Sequence, residues 1–166
     1  PTVNEFKFAM NYAELDAYSE ENVHESHVHE GCEIYINVSG DVSFTVENHF
    51  YHVESGNIII TRPFEYHNCV YNNNEIHRQY CIIFGTEGNE FLLDLFFNRK
   101  KGEGNLITLS KDNHRELVEC CNVFLTKTLN DIEKYLLFMK IISLVSSGVS
   151  KDSPDLMPES VKLAID

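Results

Sequence analysis

The chain has 166 residues, 43% apolar and 23% charged, a globular composition that excludes disordered, collagen-like and low-complexity proteins and predicts one domain with its own core. Thirteen basic against 26 acidic residues leave a net charge of −13, a field that repels phosphate and excludes direct nucleic-acid binding by this segment. Apolar stretches such as residues 135–139 fall far short of the roughly 18 residues a spanning helix needs, so no membrane partner is expected. Five cysteines (Cys32, Cys69, Cys81, Cys120, Cys121) without C-x-x-C spacing argue against a disulfide framework or a zinc ribbon and predict a reducing, cytoplasmic setting. Pro1 in place of methionine reads as a trimmed start.

In chain order, residues 1–23 mix aromatics and acids without a clear period, which predicts an irregular edge segment. Residues 24–84 read as short strands between turns, in the spacing of an antiparallel sandwich or barrel. Cys32, Ile34, Ile36 and Val38 fall on one face of the first such strand, and Glu33, Tyr35 and Asn37 on the other. Ser39-Gly40-Asp41 turns the chain, Val42 to Val46 pairs through Glu47-Asn48 with Phe50 to Val53, and the run Ile58 to Thr61 stops at Pro63. A strand from His77 to Phe84 follows the Asn72-Asn73-Asn74 loop. Beyond Gly85 the period becomes helical: Phe91, Leu92, Leu95 and Phe96 predict a short helical insertion near 88–99, before a strand over 106–109. Two longer helices follow. Ser110 or Asp112 caps the first, whose stripe is Leu117, Cys120 or Cys121, Phe124 and Leu125; Asn130 caps the second, whose face is Ile132, Leu136, Met139 and Ile142. Residues 146–154 read as a linker, and 158–166 as the opening of a helix that is cut short.

His27-x-His29 puts two imidazoles on one face of a strand, about 7 Å apart by backbone rise, and Glu33 keeps their parity. His67 arrives beyond Pro63, so three imidazoles and a carboxylate can converge, a set that suits Zn, Fe, Ni or Mn and not calcium. Two uses compete: a metal site, or a polar lining for an organic ligand, with a metal that helps hold the ligand between them. Tyr35 and Asn37 share the inward parity and are expected to touch a small polar ligand; Arg78 and Tyr80, with Arg62 and Tyr66, are expected near the rim. Phe44 and Tyr51 are expected in the core more than in a cavity.

The run His27-x-His29, three residues, Glu33, six residues, Gly40 resembles the first motif of the cupin superfamily. Gly56 and His67 keep the offset of the second motif, but Glu65 stands where that family has glycine and Tyr71 where it has asparagine, departures that favour a variant over an enzyme-type cupin. Gly56-Asn57-Ile58-Ile59-Ile60, with Pro63 and His67, is similar to the barrel segment of AraC-family transcription regulators.

That resemblance implies a mainly β fold: a cupin-like antiparallel β-barrel of the double-stranded β-helix, or jelly-roll, type, followed by a helical hairpin. It implies an effector-binding barrel over 1–109, a helical dimerisation region over 110–147, and over 148–166 a linker and the start of a truncated DNA-binding domain. The function implied is effector sensing: a small molecule, a sugar or organic acid, bound by Tyr35, Asn37, His27, His29, Glu33, His67, Arg78 and Tyr80 controls DNA binding by a helix-turn-helix domain that this segment lacks. A homodimer through the helices is the expected partner, with no reaction catalysed. The rival is a metal-dependent cupin enzyme, an oxygenase or isomerase, with the metal on His27, His29, Glu33 and His67.

Overall fold

The computed structural model describes residues 7–16, 26–72, 75–150 and 155–156. The expected helix start over 158–166 and linker residues 151–154 lie outside the described residues. The strands are β1 (Phe8–Asp16), β2 (Cys32–Ser39), β3 (Val42–Val46), β4 (His49–Val53), β5 (Asn57–Thr61), β6 (His67–Tyr71), β7 (Ile76–Phe84), β8 (Leu106–Thr108), β9 (Val149–Ser150) and β10 (Asp155–Leu156). They form two antiparallel sheets, one in the order β1-β7-β2-β5-β8-β9 and one in the order β10-β4-β3-β6. The sheets share no ladder, so the cupin-like sandwich is open and not a closed barrel. Helices α1 (Asp94–Phe97), α2 (Lys111–Thr126) and α3 (Asp131–Ser146) complete the fold, the last two as a hairpin.

The hairpin makes a third layer, which explains why β2 and β5 are buried on both faces. Ile34, Ile36, Ile58, Ile60, Ile82 and Phe84 point to the helices, where they meet Phe96, Leu117, Phe138 and Ile141. Tyr35, Ile59 and Leu106 point the other way and pack on Val42, Phe44, Val46, Tyr51 and Val53 of the second sheet. Strands covered on both sides read as continuous aliphatic runs, as in Ile58-Ile59-Ile60. Gly40 makes the turn out of β2 with φ of 103°, and a Cβ there would lie 2.2 Å from His77 Nδ1.

Two expectations need correction, and the short helical insertion near 88–99 is present with a different buried face. Residues 8–16, expected to be irregular, form β1, which pairs along its whole length with β7 from Phe8↔Phe84 to Asp16↔Ile76. Its partner is far away in sequence, and local period alone could not reveal it. The insertion near 88–99 is a 3-10 turn over Glu90–Leu92 and a single helical turn, α1, that bury Leu93 and Phe96 and leave Phe91 exposed. On α3 the predicted face is half right: Ile142 is buried and Met139 packs against the core, but Ile132 and Leu136 are 73% and 65% exposed, and Phe138, Ile141 and Val145 complete the buried side. That helix is apolar nearly all round, so period does not select a face; Phe138 does, stacking on Phe8 at 4.3 Å and meeting Phe84 edge-on at 5.3 Å.

The caps fall as expected. Ser110 accepts from Asn113 N at the start of α2, and Asn130 forms a full capping box with Glu133 at the start of α3. Asn130→Ala is expected to lower stability by about 1 kcal/mol, read as a shift in urea midpoint at constant slope.

Candidate functional site

A cavity of about 470 Å³ lies between the sheets, and its wall is built from five strands and the His27 segment. Strand β1 gives Asn11, Ala13 and Leu15, β2 gives Glu33 and Tyr35, β3 gives Phe44, β6 gives His67, Cys69 and Tyr71, and β7 gives Gln79, Cys81 and Ile83. Each strand contributes alternate residues, as the pleat requires. The wall runs past the open edges of β1 and β6, each an end strand of its sheet.

One end of the cavity is the histidine cluster. A backbone bridge between His27 and His67, with both N–H···O bonds at 3.0 Å, pins the incoming segment to the start of β6. His29 Nε2 lies 2.8 Å and His67 Nε2 3.2 Å from the same oxygen, Glu33 Oε2. One ligating atom from each of His27, His29, Glu33 and His67 lies within 4.8 Å of the others. His67 and Glu33 are buried, His29 is half-buried and His27 is exposed, so the cluster opens on the His27 side. Cys81 Sγ donates to the second carboxylate oxygen, Glu33 Oε1, at 3.3 Å.

The proton positions follow from the partners. His29 Nδ1 lies 2.9 Å from the Gly31 carbonyl oxygen and His67 Nδ1 lies 2.8 Å from that of Glu65. A carbonyl only accepts, so both Nδ1 atoms carry hydrogen, and in a neutral ring Nε2 is then a bare lone pair. Two lone pairs and a carboxylate oxygen, all acceptors, converge on one point. Only positive charge between them makes that arrangement stable: a proton on each Nε2, or a metal ion. The same backbone-locked tautomer orients histidine ligands in metal sites, so the donor set fits a first-row divalent ion. Burial pushes the His67 imidazole down, but the Glu33 carboxylate raises it further and sets it above the usual histidine range. Burial raises the Glu33 carboxyl, yet its bonds to His29 and His67 outweigh this and hold it well below the usual carboxylate range.

The rest of the wall is neutral. Tyr35 and Tyr71 hydroxyls both donate to Gln79 Oε1, at 2.6 and 3.1 Å. Burial pushes the Cys69 thiol up to about 12 and raises Cys81 as well, so both sulfurs stay protonated.

His27, Glu33, Tyr35 and His67 therefore line the cavity, and His29 joins the cluster. Asn37, Arg78 and Tyr80 do not line it. Asn37 has the right parity but sits at a bulge beyond the cavity, where Nδ2 donates to the carbonyls of Gly40 and Val53, each at 2.9 Å. On β7 the even residues face away: Arg78 pairs with Glu14 at 3.0 Å, and Tyr80 packs on Tyr12 at 5.0 Å. The signal was present, since Tyr80, Ile82 and Phe84 share one parity and are all large and apolar, which leaves Gln79, Cys81 and Ile83 for the cavity. Arg62 is also elsewhere, its Nη1 donating to the Phe97 and Arg99 carbonyls. Phe44, expected in the core, lines the cavity as well as packing on Tyr35, whereas the Tyr51 hydroxyl donates to the Gly102 carbonyl in the core.

Among the described residues, no helix is long and apolar enough to cross a membrane. No curated protein matches the chain. ToxT from Vibrio cholerae aligns over 84% of this chain and 56% of its own, at 14% identity and a TM-score of 0.52. A second ToxT structure, bound to (E)-4-(8-methylnaphthalen-1-yl)but-3-enoic acid, aligns over 84% of this chain and 57% of its own, at 14% identity and a TM-score of 0.53. The chain thus spans little more than half the length of these ToxT structures. Likeness at such identity carries the fold alone. Residues 14–119, well over half of the sequence, match the family model of the AraC-like ligand binding domain, and the chain belongs to that family.

Proposed function

We propose that this chain is the effector-sensing part of an AraC-type transcription regulator, in which a small molecule in the inter-sheet cavity controls DNA binding by a helix-turn-helix domain elsewhere in the protein. The observation that carries the reading is the cavity itself: about 470 Å³, walled by the inward positions of five strands, in a chain of the AraC-like ligand-binding family. His27, His29, Glu33 and His67 would hold a divalent metal at its end, and such an ion would supply a Lewis-acid centre for a ligand oxygen. The remaining wall orients and desolvates the ligand.

A route to the following domain is also available. The His67 Nδ1 hydrogen bonds the Glu65 carbonyl, and the Glu65 carboxylate accepts from Gly102 N and Asn105 Nδ2, just before β8. Strand β8 pairs with β9, the first segment after the helical hairpin, and β10 then pairs with β4 of the other sheet. The chain leaving the hairpin is thus laid on both sheets, so an effector that prefers one arrangement of the sandwich biases the position of that segment.

Pairing with a second copy through the outer face of α2 and α3 completes the proposal, since Leu125, Ile132 and Leu136 stand exposed there. Sedimentation equilibrium should give a dimer, and Leu136→Glu should weaken it at least tenfold without lowering the melting temperature of the monomer; a monomer at 100 µM, on the order of the weakest useful affinities, sinks this part. Sensing is tested by thermal shift against a small-molecule library: ligands at about 100 times Kd stabilise by about 2.7 kcal/mol, and Ala13→Trp should abolish the shift by filling the cavity. A library whose hits all survive Ala13→Trp overturns the reading. The donor set of three imidazoles and a carboxylate is what favours the second reading, a metal-dependent cupin enzyme; chemical conversion of such a hit would select it.

A further inference from the structure

Resting on that reading of the cavity, we infer that the effector is an uncharged, hydrogen-bonding molecule and not an organic acid. Among the described residues that line the cavity there is no lysine and no arginine. The arginines near the site are engaged elsewhere: Arg62 with backbone carbonyls, Arg78 with Glu14, and Arg99 in a bidentate pair with Glu65. His29 and His67 have both ring nitrogens engaged, each by a backbone carbonyl and by Glu33. A carboxylate entering this chamber would lose its hydration and meet no lysine or arginine among the described lining residues, inside a protein of net charge −13.

What the wall does offer is matched to neutral oxygen. With Tyr35 and Tyr71 donating to Gln79 Oε1, the amide is held so that its NH2 group remains to donate to a ligand carbonyl, hydroxyl or ether. Asn11, cross-strand from Cys81, adds a second carboxamide, and Ala13, Leu15, Phe44 and Ile83 supply the apolar surface for a carbon frame.

The test uses an isosteric pair, phenylacetamide and phenylacetate, titrated by NMR into chelator-treated chain, wild type and Gln79→Lys. The amide should bind wild type at least tenfold tighter than the acid, and Gln79→Lys, which places a cation in the same wall, should reverse the order. Acid binding to chelated wild type as tightly as the amide overturns the inference while leaving the cavity reading intact. If neither probe binds wild type but the acid binds Gln79→Lys, the cavity accepts ligands and charge is what excludes the acid, as inferred. Absence of binding to both proteins overturns the inference and the cavity reading together. Metal-loaded chain, run in parallel, should gain acid affinity only through the ion.

Discussion

Glu65→Ala is expected to lower the unfolding free energy by about 3–5 kcal/mol, the usual consequence of removing one partner of a buried ion pair. Glu65 is 1% exposed and its carboxylate accepts five hydrogen bonds. Arg99 provides two, at 2.7 and 2.6 Å, in a bidentate fork; Gly102 N, Arg62 N and Asn105 Nδ2 provide the others at 2.7, 3.0 and 3.2 Å. Alanine would leave the guanidinium buried without its counter-ion and the loop before β8 without its anchor. Burial raises the Glu65 carboxyl, but the Arg99 bonds and charge outweigh it and hold the group below the usual range. A depressed carboxylate contributes stability that is present above the unfolded pKa of about 4.3 and is lost as pH falls through the folded value. The gap in urea stability between wild type and Glu65→Gln should therefore be widest near pH 7 and shrink below about pH 4. A constant gap down to pH 3 would show that shape, not charge, makes the contact, and an exposed control, Glu54→Ala, should stay within about 0.5 kcal/mol throughout.

Glu65 is also a residue whose role no local pattern shows. In the sequence it stands in place of a motif glycine, a departure from the pattern; its partner Arg99 is 34 residues away on the α1 side, and no spacing rule connects them. Short-range features were legible. The two faces of β2, the turn at Gly40, the caps at Ser110 and Asn130, and the grouping of His27, His29 and Glu33 all follow from residue type and local period, whereas His67, 34 residues from Glu33, joins them through the motif resemblance. What depended on which surface a strand or helix meets was not. β1 has a strand's alternation in part, but only its ladder with β7 makes it one, and with it came the cavity residues Asn11, Ala13 and Leu15. Arg78 and Tyr80 carry ligand-like chemistry and are expected near the rim; one position along, Gln79 and Cys81 hold the inward parity. The face of α3 is legible only at Met139 and Ile142, because hydrophobicity surrounds that helix and the choice belongs to the fit of Phe138 between Phe8 and Phe84.

Glu33→Gln should separate the two ways of satisfying the histidine cluster. In the native chain Glu33 Oε2 faces the Nε2 atoms of His29 and His67, whose Nδ1 hydrogens are fixed by backbone carbonyls, so the three atoms need protons or a metal between them. Glutamine is isosteric, and its two amide hydrogens can point at both imidazole lone pairs while its oxygen still accepts from Cys81. With chelator present, Glu33→Gln is expected to unfold at the same denaturant concentration as wild type or a higher one, because the new network is complete without any cation. Zinc affinity should fall on the order of 10³-fold, equivalent to about 4 kcal/mol, since the only anionic ligand is gone. Wild type should gain about 2.7 kcal/mol at 100 times Kd of zinc, and the variant should gain almost nothing at that concentration. The opposite pattern, a variant that is much less stable under chelation yet binds zinc as tightly, would mean that doubly protonated imidazoles around Glu33 are the resting arrangement and that the metal takes no bond from this carboxylate.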